Sequence, residues 1–195
     1  MGITVRALTG DALEAALDDV AALRIAVFRD WPYLYDGTLD YERAYLQTYR
    51  TSAHALLVGA FEGDRLVGAS TSTPMEDHAE AFAAPFAGQG IALTDIYYGA
   101  ESVLLPEYRG QGIGHRFFDL REDFARSLGR KWLAFCSVTR PDDHPLRPAT
   151  YRTNDAFWQG RGYAPLPGVE AEFAWKDVGE SGETVKRLQF WMRGL

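Results

Sequence analysis

A glycine-rich turn between an apolar strand and an amphipathic helix most constrains what this chain can fold into. Residues 104–114 read LLPEYRGQGIG, with glycines at positions 110, 112 and 114. Glycine lets the main chain bend tightly and approach a ligand without a side chain in the way. Free amides at a helix N-terminus, with the positive end of the helix dipole, favour a phosphate or pyrophosphate. Arg109 stands beside these amides and adds charge-assisted hydrogen bonds, so we predict a phosphate-binding turn.

Two common phosphate-binding motifs do not fit this turn. A P-loop ends in glycine, lysine and serine or threonine, and the turn has no such ending. The dinucleotide fingerprint needs the spacing G-x-G-x-x-G, whereas the glycines here stand at every second position. No acidic residue lies on a second parallel strand about 20 residues later, where a ribose contact requires one. A nucleotide-binding oxidoreductase is therefore the weakest of the functions that the turn allows.

The apolar pattern predicts one α+β domain spanning residues 1–195. At this length a folded chain buries about 70% of the surface that its unfolded form exposes, enough for a core without metal or disulfide. Strands joined by short hairpins favour an α+β arrangement over a doubly wound parallel sheet. Gly99, inside the fourth strand, predicts a bulge or a close approach of the backbone. Strands are predicted at residues 3–8, 55–61, 65–73, 96–105, 132–138, 173–176 and 185–192, and helices at 13–28, 41–49, 112–128 and 151–159.

Charge and cysteine content exclude several classes of function. The chain has 20 basic and 27 acidic residues and a net charge of −7, so it lacks the positive field that nucleic acids and anionic membranes require. Cys136 is the only cysteine, so no internal disulfide forms and a reducing compartment is expected. No signal peptide and no apolar run of the ~18 residues that span a bilayer are visible, which predicts a cytoplasmic protein. The histidines and the cysteine lack metal-ligand spacing, so no metal site is predicted.

Two blocks of sequence resemble the motifs of one family. RGQGIG at residues 109–114 matches the pattern Q/R-x-x-G-x-G/A of the GNAT superfamily, the acetyl-CoA-dependent N-acyltransferases, and LLPEY before it is common in that family. NDAFWQGRGY at residues 154–163 resembles the family's later helix and the start of the strand after it. The two blocks occur in the family's order, with a strand between them. The resemblance implies a splayed mixed sheet of six or seven strands with about four helices.

The resemblance also implies where acetyl-CoA binds. It places acetyl-CoA in a V-shaped gap between the strand that ends at Leu105 and the strand at residues 132–138. Main-chain groups of the first strand then pair with the pantetheine arm, the glycine turn holds the pyrophosphate, and Asn154 approaches the pantetheine. No metal takes part. The residues implied in acetyl-CoA binding are Val103, Leu104, Leu105, Arg109, Gly110, Gln111, Gly112, Ile113, Gly114, Asn154 and Trp158.

Transfer to an amine needs a general base, and Glu101 is the first candidate because it lies on the strand expected to face the acetyl group. Asp95 and Tyr98 are secondary candidates; Tyr98 stands where many relatives place a glutamate. The family's usual acid for the departing thiolate is a tyrosine of the second block. This chain has Trp158 there, and an indole N–H is a very poor acid. Tyr151 or water then supplies the proton, or the thiolate leaves unassisted.

The loop after the first helix is the candidate acceptor site. It carries Trp31, Tyr33, Tyr35 and Asp36, and aromatic rings with an interspersed carboxylate can hold a cationic amine. Packing between helices is the alternative role for these rings. The sequence thus predicts an N-acetyltransferase, a monomer or homodimer, that acts on an amine of a small molecule or peptide. The alternative is a non-catalytic acyl-CoA-binding or sensing module, suggested by Trp158.

Overall fold

Seven strands form one mixed sheet in the computed structural model, which describes residues 2–78 and 80–195. The strands are β1 (Ile3–Leu8), β2 (Leu56–Glu62), β3 (Arg65–Pro74), β4 (Ile96–Leu104), β5 (Trp132–Val138), β6 (Ala164–Lys176) and β7 (Glu183–Gly194). Their order in the sheet is β1-β2-β3-β4-β5-β7-β6. Neighbouring strands run antiparallel except β4 and β5, which run parallel. This arrangement confirms the predicted α+β fold with a mixed sheet.

Two long helices cover opposite faces of the sheet. Leu57 packs in the cluster that contains the first long helix, whereas Leu56 and Val58 pack in the cluster that contains the second. Because successive strand residues point to opposite faces, the two helices lie on opposite sides of β2. The helices are α1 (Gly10–Phe28), α2 (Leu39–Tyr45), α3 (Gln47–Thr51), α4 (Glu80–Ala83), α5 (Ile113–Ser127) and α6 (Asp155–Gly160).

The structure corrects three predicted elements. The single helix predicted over residues 41–49 is broken at Leu46 into α2 and α3. α6 begins at Asp155 rather than at residue 151, and Asn154 occupies its N-cap without a side-chain hydrogen bond to the helix. β6 begins at Ala164 rather than at residue 173. Prolines in the first half of β6 argue against a strand when the sequence is read alone. The structure tolerates them because β6 is an edge strand, paired with β7.

The sheet opens between β4 and β5. Residues 96–98 pair with residues 132–134, and beyond them no residue pair joins the two strands in the part of the chain that the structure describes. β4 also has a bulge at Ala100, next to the position where Glu101 faces Thr71 of β3. The short pairing leaves a splayed gap, as predicted. It divides the sheet into a first half (β1–β4) and a second half (β5, β7 and β6).

Gly99 marks a close approach behind the bulge. A Cβ atom at this position would lie 2.5 Å from Nη1 of Arg121, so a side chain here would displace the arginine. Arg121 projects from α5, is almost fully buried, and donates to the Ser70 hydroxyl at 3.1 Å. The close approach predicted for Gly99 is therefore present, and its neighbour is an arginine.

Candidate active site

The turn before α5 presents unpaired main-chain amides. Gly110 and Gly112 adopt φ angles of +75° and +79°, a left-handed conformation that favours glycine. Gly112 is the N-cap of α5, and no side chain caps that end. Among the described residues no main-chain oxygen accepts from the amides of residues 110–112, and the first amides of a helix lack partners inside it. The turn thus offers the free donors and the dipole that suit a pyrophosphate.

The β4 side of the gap ends beside this turn. Val103 is buried, whereas Leu104 and Leu105 are half-buried. Nε of Arg109 donates to the Leu104 carbonyl at 3.1 Å, so the arginine side chain folds back along the end of β4. Its positive charge is thereby held at the junction of strand and turn.

α6 brings the second sequence block to the other side of the gap. Asn154 is exposed at the N-cap of this helix. The Trp158 ring lies 5.0 Å from that of Phe135 on β5 and 5.1 Å from that of Trp191 on β7, measured between centroids. Trp158 therefore packs α6 against the second half of the sheet, which gives this side chain a structural role.

A pocket of about 550 Å³, including its open mouth, lies where the gap meets α1 and α2. β4 contributes Tyr98, Ala100 and Glu101 to its lining, and β5 contributes Cys136. Aromatic side chains form most of the remaining wall. The other lining residues are Arg24, Phe28, Tyr33, Tyr35, Tyr41, Tyr45, Phe82, Phe173, Trp175 and Leu188.

Glu101 is a buried carboxylate of this pocket, with only 6% of its surface exposed. The Thr71 hydroxyl donates to Oε1 at 2.6 Å, and Nη1 of Arg24 lies 2.6 Å from Oε2. Burial raises the pKa of Glu101, and the Arg24 charge and the Thr71 hydrogen bond limit that rise. A carboxylate with a raised pKa is a better proton acceptor, so Glu101 has the properties of a general base.

Arg24 links Glu101 to a second buried carboxylate. Its Nε donates to Glu42, which is fully buried, and its guanidinium lies 4.3 Å from the centroid of Tyr45 and 5.1 Å from that of Phe28. Burial lowers the pKa of Arg24, but Glu101 and Glu42 raise it further, so the net shift is well above the usual value. Arg24 is therefore always charged, and its ion pairs and two rings hold the carboxylates in place.

The other candidate bases, Tyr98 and Asp95, lack either the protonation state or the position that a base requires. The Tyr98 hydroxyl lies 3.1 Å from Sγ of Cys136, and burial raises the pKa of both groups, that of Cys136 to about 12. Both groups are therefore protonated at neutral pH, so neither acts as a base or nucleophile there. Asp95 pairs with Lys131 at 2.9 Å and does not line the pocket.

The predicted acceptor residues separate into two groups. Tyr33 and Tyr35 line the pocket. Asp36 does not line it, because its carboxylate pairs with Arg29 at 3.1 Å and with Lys176 at 2.8 Å. The carboxylate predicted to hold the amine is thus engaged outside the pocket.

Trp31 and Tyr151 pack together outside the pocket. The Trp31 ring lies 5.9 Å from that of Tyr151 and 4.9 Å from that of His144, measured between centroids. The Arg147 guanidinium lies 5.9 Å from the Tyr151 ring. Tyr151 does not line the pocket, but it is close enough to Tyr33 to contribute to the raised pKa of that phenol.

Sequence analysis missed Arg24 and Glu42, although a signal for both is present. Arg24 follows Val20 by four residues in the apolar stripe of α1, and Glu42 precedes Leu46 by four. Both charges thus occupy buried positions of their helices, where Arg and Glu are rare unless they are paired. The wall residue Trp175 was missed for another reason, because β6 is far away in sequence and no local pattern links it to the pocket.

Comparison with known proteins assigns the family. A splayed sheet with an anion-binding turn at the gap is the architecture expected of an acyl-CoA-dependent transferase. The model of the Acetyltransferase (GNAT) family matches residues 20–149, about two thirds of the chain. This chain belongs to the GNAT acetyltransferase family, whose members use acetyl-CoA, and the resemblance seen in the sequence is confirmed. No curated protein matches the sequence significantly.

Solved structures agree on the fold. A ribosomal-protein-alanine N-acetyltransferase from Brucella melitensis is 14% identical, with a TM-score of 0.62, over 98% of this chain and 99% of its own. A polyamine N-acetyltransferase from Drosophila melanogaster, which forms N-acetylagmatine, is 12% identical, with a TM-score of 0.62, over 100% of both chains. A Salmonella typhimurium structure with its cofactor acetyl-CoA is 13% identical, with a TM-score of 0.57, over 100% of this chain and 95% of its own. At these identities the likeness shows the fold alone.

The described residues contain neither a membrane-spanning helix nor a cluster of metal-ligating side chains. No helix within residues 2–78 and 80–195 is long and apolar enough to cross a membrane. Within the same residues no group of three or more His, Cys, Asp and Glu side chains is placed to hold a metal ion.

Proposed function

We propose that this protein transfers an acetyl group from acetyl-CoA to an amine of a small molecule or peptide, with Glu101 as the general base. The proposal rests on the position of Glu101 in the pocket wall. A buried carboxylate with a raised pKa lines a pocket at the mouth of the gap where the family binds acetyl-CoA. Direct transfer in a ternary complex follows, because the Cys136 thiol is protonated at neutral pH and is a poor site for a covalent acetyl intermediate.

The residues around the gap fit acetyl-CoA. The free amides of residues 110–114 and the N-terminus of α5 suit its pyrophosphate, and Arg109 adds a positive charge beside them. Val103 and Leu104 lie on the part of β4 that has no partner in β5, so their main-chain groups can pair with the pantetheine arm. Asn154 and Trp158 flank the gap from α6.

Side chains of the protein accept and donate the protons that the reaction moves. Acetyl-CoA, when bound, supplies the acetyl group as a thioester. Glu101 accepts the proton that the amine nitrogen loses as the new C–N bond forms, and Arg24 and Thr71 fix its carboxylate. The C–S bond breaks in the same transfer, and the sulfur takes up one proton.

Tyr151 and Tyr33 are the proposed donors of that proton, since Trp158 is not an acid. Tyr33 lines the pocket with Glu101, and Tyr151 packs against Trp31 outside the pocket. Burial raises the pKa of both phenols, so both carry a proton at neutral pH.

The test follows free-thiol release from acetyl-CoA with a panel of amines. Glu101→Gln is expected to lower kcat by about 100-fold or more, because a general base contributes roughly that factor. Acetyl-CoA affinity, measured by calorimetry, should stay within about threefold. Glu122→Gln is the matched control, because Glu122 is equally buried and ion-paired but lies on α5 outside the pocket. Wild-type kinetics of Glu101→Gln across pH would remove Glu101 from the mechanism.

The second candidate function is a non-catalytic acyl-CoA-binding module, favoured by Trp158, which packs the core where the family has its acid. It predicts acetyl-CoA binding without amine-dependent thiol release. The same two measurements therefore separate the two functions.

A further inference from the structure

We infer that the acceptor is an amine with a single positive charge and an apolar, ring-sized body that carries no carboxylate. This inference rests on the proposed function, because it names the substrate class of the same pocket. It follows from two observations, the composition of the pocket wall and the ion pairs that Arg24, Arg140 and Lys186 form beside it.

The pocket wall is a continuous set of aromatic rings. Phe28 lies 4.3 Å from Tyr33, Tyr33 lies 5.9 Å from Trp175, and Phe82 lies 5.4 Å from Phe173, measured between ring centroids. Rings in contact with one another present mainly carbon to a ligand. Burying an apolar ligand surface against them removes that surface from water, which is favourable. A ligand with an apolar body therefore matches this wall better than an extended polar chain does.

Cations of the protein already lie over several of these rings. The Arg24 guanidinium lies over Phe28 and Tyr45. Nζ of Lys186 lies 5.0 Å from the Trp175 centroid, and the Arg140 guanidinium lies 5.8 Å from it. An aromatic ring attracts a cation through its negative face, and these faces are engaged by the protein. Phe28, Tyr45 and Trp175 are therefore less available to a cationic ligand and serve it mainly as apolar surface.

The carboxylates near the wall are engaged as well. Glu101 and Glu42 both contact Arg24. Behind Trp175, Asp177 pairs with Arg140 at 2.7 Å and with Lys186 at 3.0 Å. Together these residues carry three positive and three negative charges. The positive ones are Arg24, Arg140 and Lys186, and the negative ones are Glu101, Glu42 and Asp177. The reacting nitrogen loses its ammonium proton to solvent before it enters, and it gives its second proton to Glu101 as the C–N bond forms. A second ammonium would be buried among carboxylates that are already ion-paired with arginine or lysine.

A ligand carboxylate is disfavoured for the complementary reason. Arg24 is the cation that lines the pocket, and two of its nitrogens already contact Glu42 and Glu101. A carboxylate approaching Arg24 would meet two like charges at short range and would lose its hydration. The pocket therefore discriminates against amino acids as well as against diamines.

Two matched pairs of amines test this inference by thiol release. Phenethylamine and phenylalanine differ by one carboxylate, and benzylamine and p-xylylenediamine differ by one aminomethyl group. The kcat/KM of the first member is expected to exceed that of the second by about tenfold or more in each pair, which corresponds to about 1.4 kcal/mol. Agmatine serves as an extended cationic comparison and is expected to be poorer than phenethylamine.

A variant tests whether the pocket charges set this preference. Phe173→Glu places an unpaired carboxylate in the wall, and Val185→Glu places the same charge on an exposed site of the neighbouring strand. Phe173→Glu is expected to lower kcat/KM for benzylamine and to raise the ratio of p-xylylenediamine to benzylamine at least fivefold. Val185→Glu should leave the ratio unchanged, and circular dichroism of both variants checks that they fold.

Calorimetry of the same amines on the wild-type protein with coenzyme A bound, which has no acetyl group to transfer, measures selectivity without turnover. Turnover or tighter binding of phenylalanine, p-xylylenediamine or agmatine relative to their partners would overturn the inference while leaving the proposed function intact. Absence of thiol release with every amine, together with acetyl-CoA binding, would instead overturn the proposed function. In that case calorimetry still decides the inference, because the ranking of the amines is measured directly.

Discussion

Thr71 shows how a single hydroxyl prepares the proposed base. It lies 2.6 Å from Oε1 of Glu101 and 2.8 Å from the Tyr49 hydroxyl. A threonine hydroxyl has one proton, so when it donates to the carboxylate it must accept from Tyr49. Tyr49 is buried and its pKa is raised well above the usual value, so it always has that proton to give. The chain from Tyr49 through Thr71 thus stabilises the ionised form of Glu101.

Replacing Thr71 is expected to move the pH dependence of the reaction. The Thr71 hydrogen bond lowers the pKa of Glu101, so Thr71→Val should raise that pKa. A general base works when deprotonated, so the acidic limb of the pH profile of kcat/KM should shift to higher pH. Thr73→Val is the control, since Thr73 is equally buried on β3 but its hydroxyl lies near His78. An unmoved acidic limb in Thr71→Val would show that this limb belongs to another group.

The donor for the leaving thiolate can be found by removing phenol hydroxyls one at a time. Tyr33→Phe keeps the ring that packs on Trp175 in the pocket wall, and Tyr151→Phe keeps the ring that packs on Trp31 outside the pocket. Each change deletes a phenol hydroxyl. The change that removes the donor is expected to lower kcat by about tenfold to 100-fold, since this step is general acid catalysis. Equal, wild-type rates of both variants would leave solvent as the donor.

The kcat values of Trp158→Tyr and Trp158→Phe, compared with each other, show whether a hydroxyl at the position of the family's tyrosine helps to protonate the leaving thiolate. Both keep a large ring between Phe135 and Trp191, so both should fold. We expect Trp158→Tyr to raise kcat at most modestly over Trp158→Phe, because the site is packed around an indole. Equal rates would show that a hydroxyl there contributes nothing.

At the scale of one element, the glycines at the two ends of α5 have the same backbone conformation, but only the first lies in the proposed phosphate-binding turn. Gly112 and Gly129 bound this helix, both in the left-handed region, with φ of +79° and +70°. A Cβ at either position meets nothing within 4 Å. Substituting either glycine therefore costs backbone strain of about 1–2 kcal/mol without a clash.

Gly112→Asp is expected to abolish acetyl-CoA binding, because it adds a carboxylate where the pyrophosphate approaches the amides. Gly129→Asp is a control with similar strain at the other end of α5, and it should bind acetyl-CoA normally. Calorimetry and thermal denaturation of both variants separate lost binding from lost stability. Normal binding by Gly112→Asp would place the phosphates elsewhere.

Elements with a regular apolar period were predictable from sequence, and irregular ones were not. β5 has its predicted bounds because six of its seven residues are apolar, and α5 ends two residues before Gly129, the glycine predicted to terminate it. α2 and α3 were merged because the break at Leu46 has no proline or glycine to mark it. For the site, the glycine turn and Glu101 could be predicted from one segment. The aromatic wall could not, because tertiary packing alone brings Phe173 to Tyr45.

At the scale of the whole molecule, three residue pairs join the two halves of the sheet, 96–98 with 132–134. A ligand that fills the gap contacts both halves, so it should stabilise the folded chain by mass action. At 100 times its dissociation constant, acetyl-CoA is expected to add about 2.7 kcal/mol. For a chain of this size that corresponds to a rise in Tm of about 5–11 °C. Thermal denaturation measures it, and a similar rise in Gly112→Asp would mean that stabilisation does not come through the turn.

The gap in the sheet also affects the order in which the two substrates bind. The pocket takes Glu101 from the first half of the sheet and Cys136, Trp175 and Leu188 from the second. Its width is therefore set by how far apart the two halves stand at the gap. A molecule that spans the gap fixes that separation, so the amine meets its final pocket only afterwards. We therefore expect the thioester to bind first and the amine second.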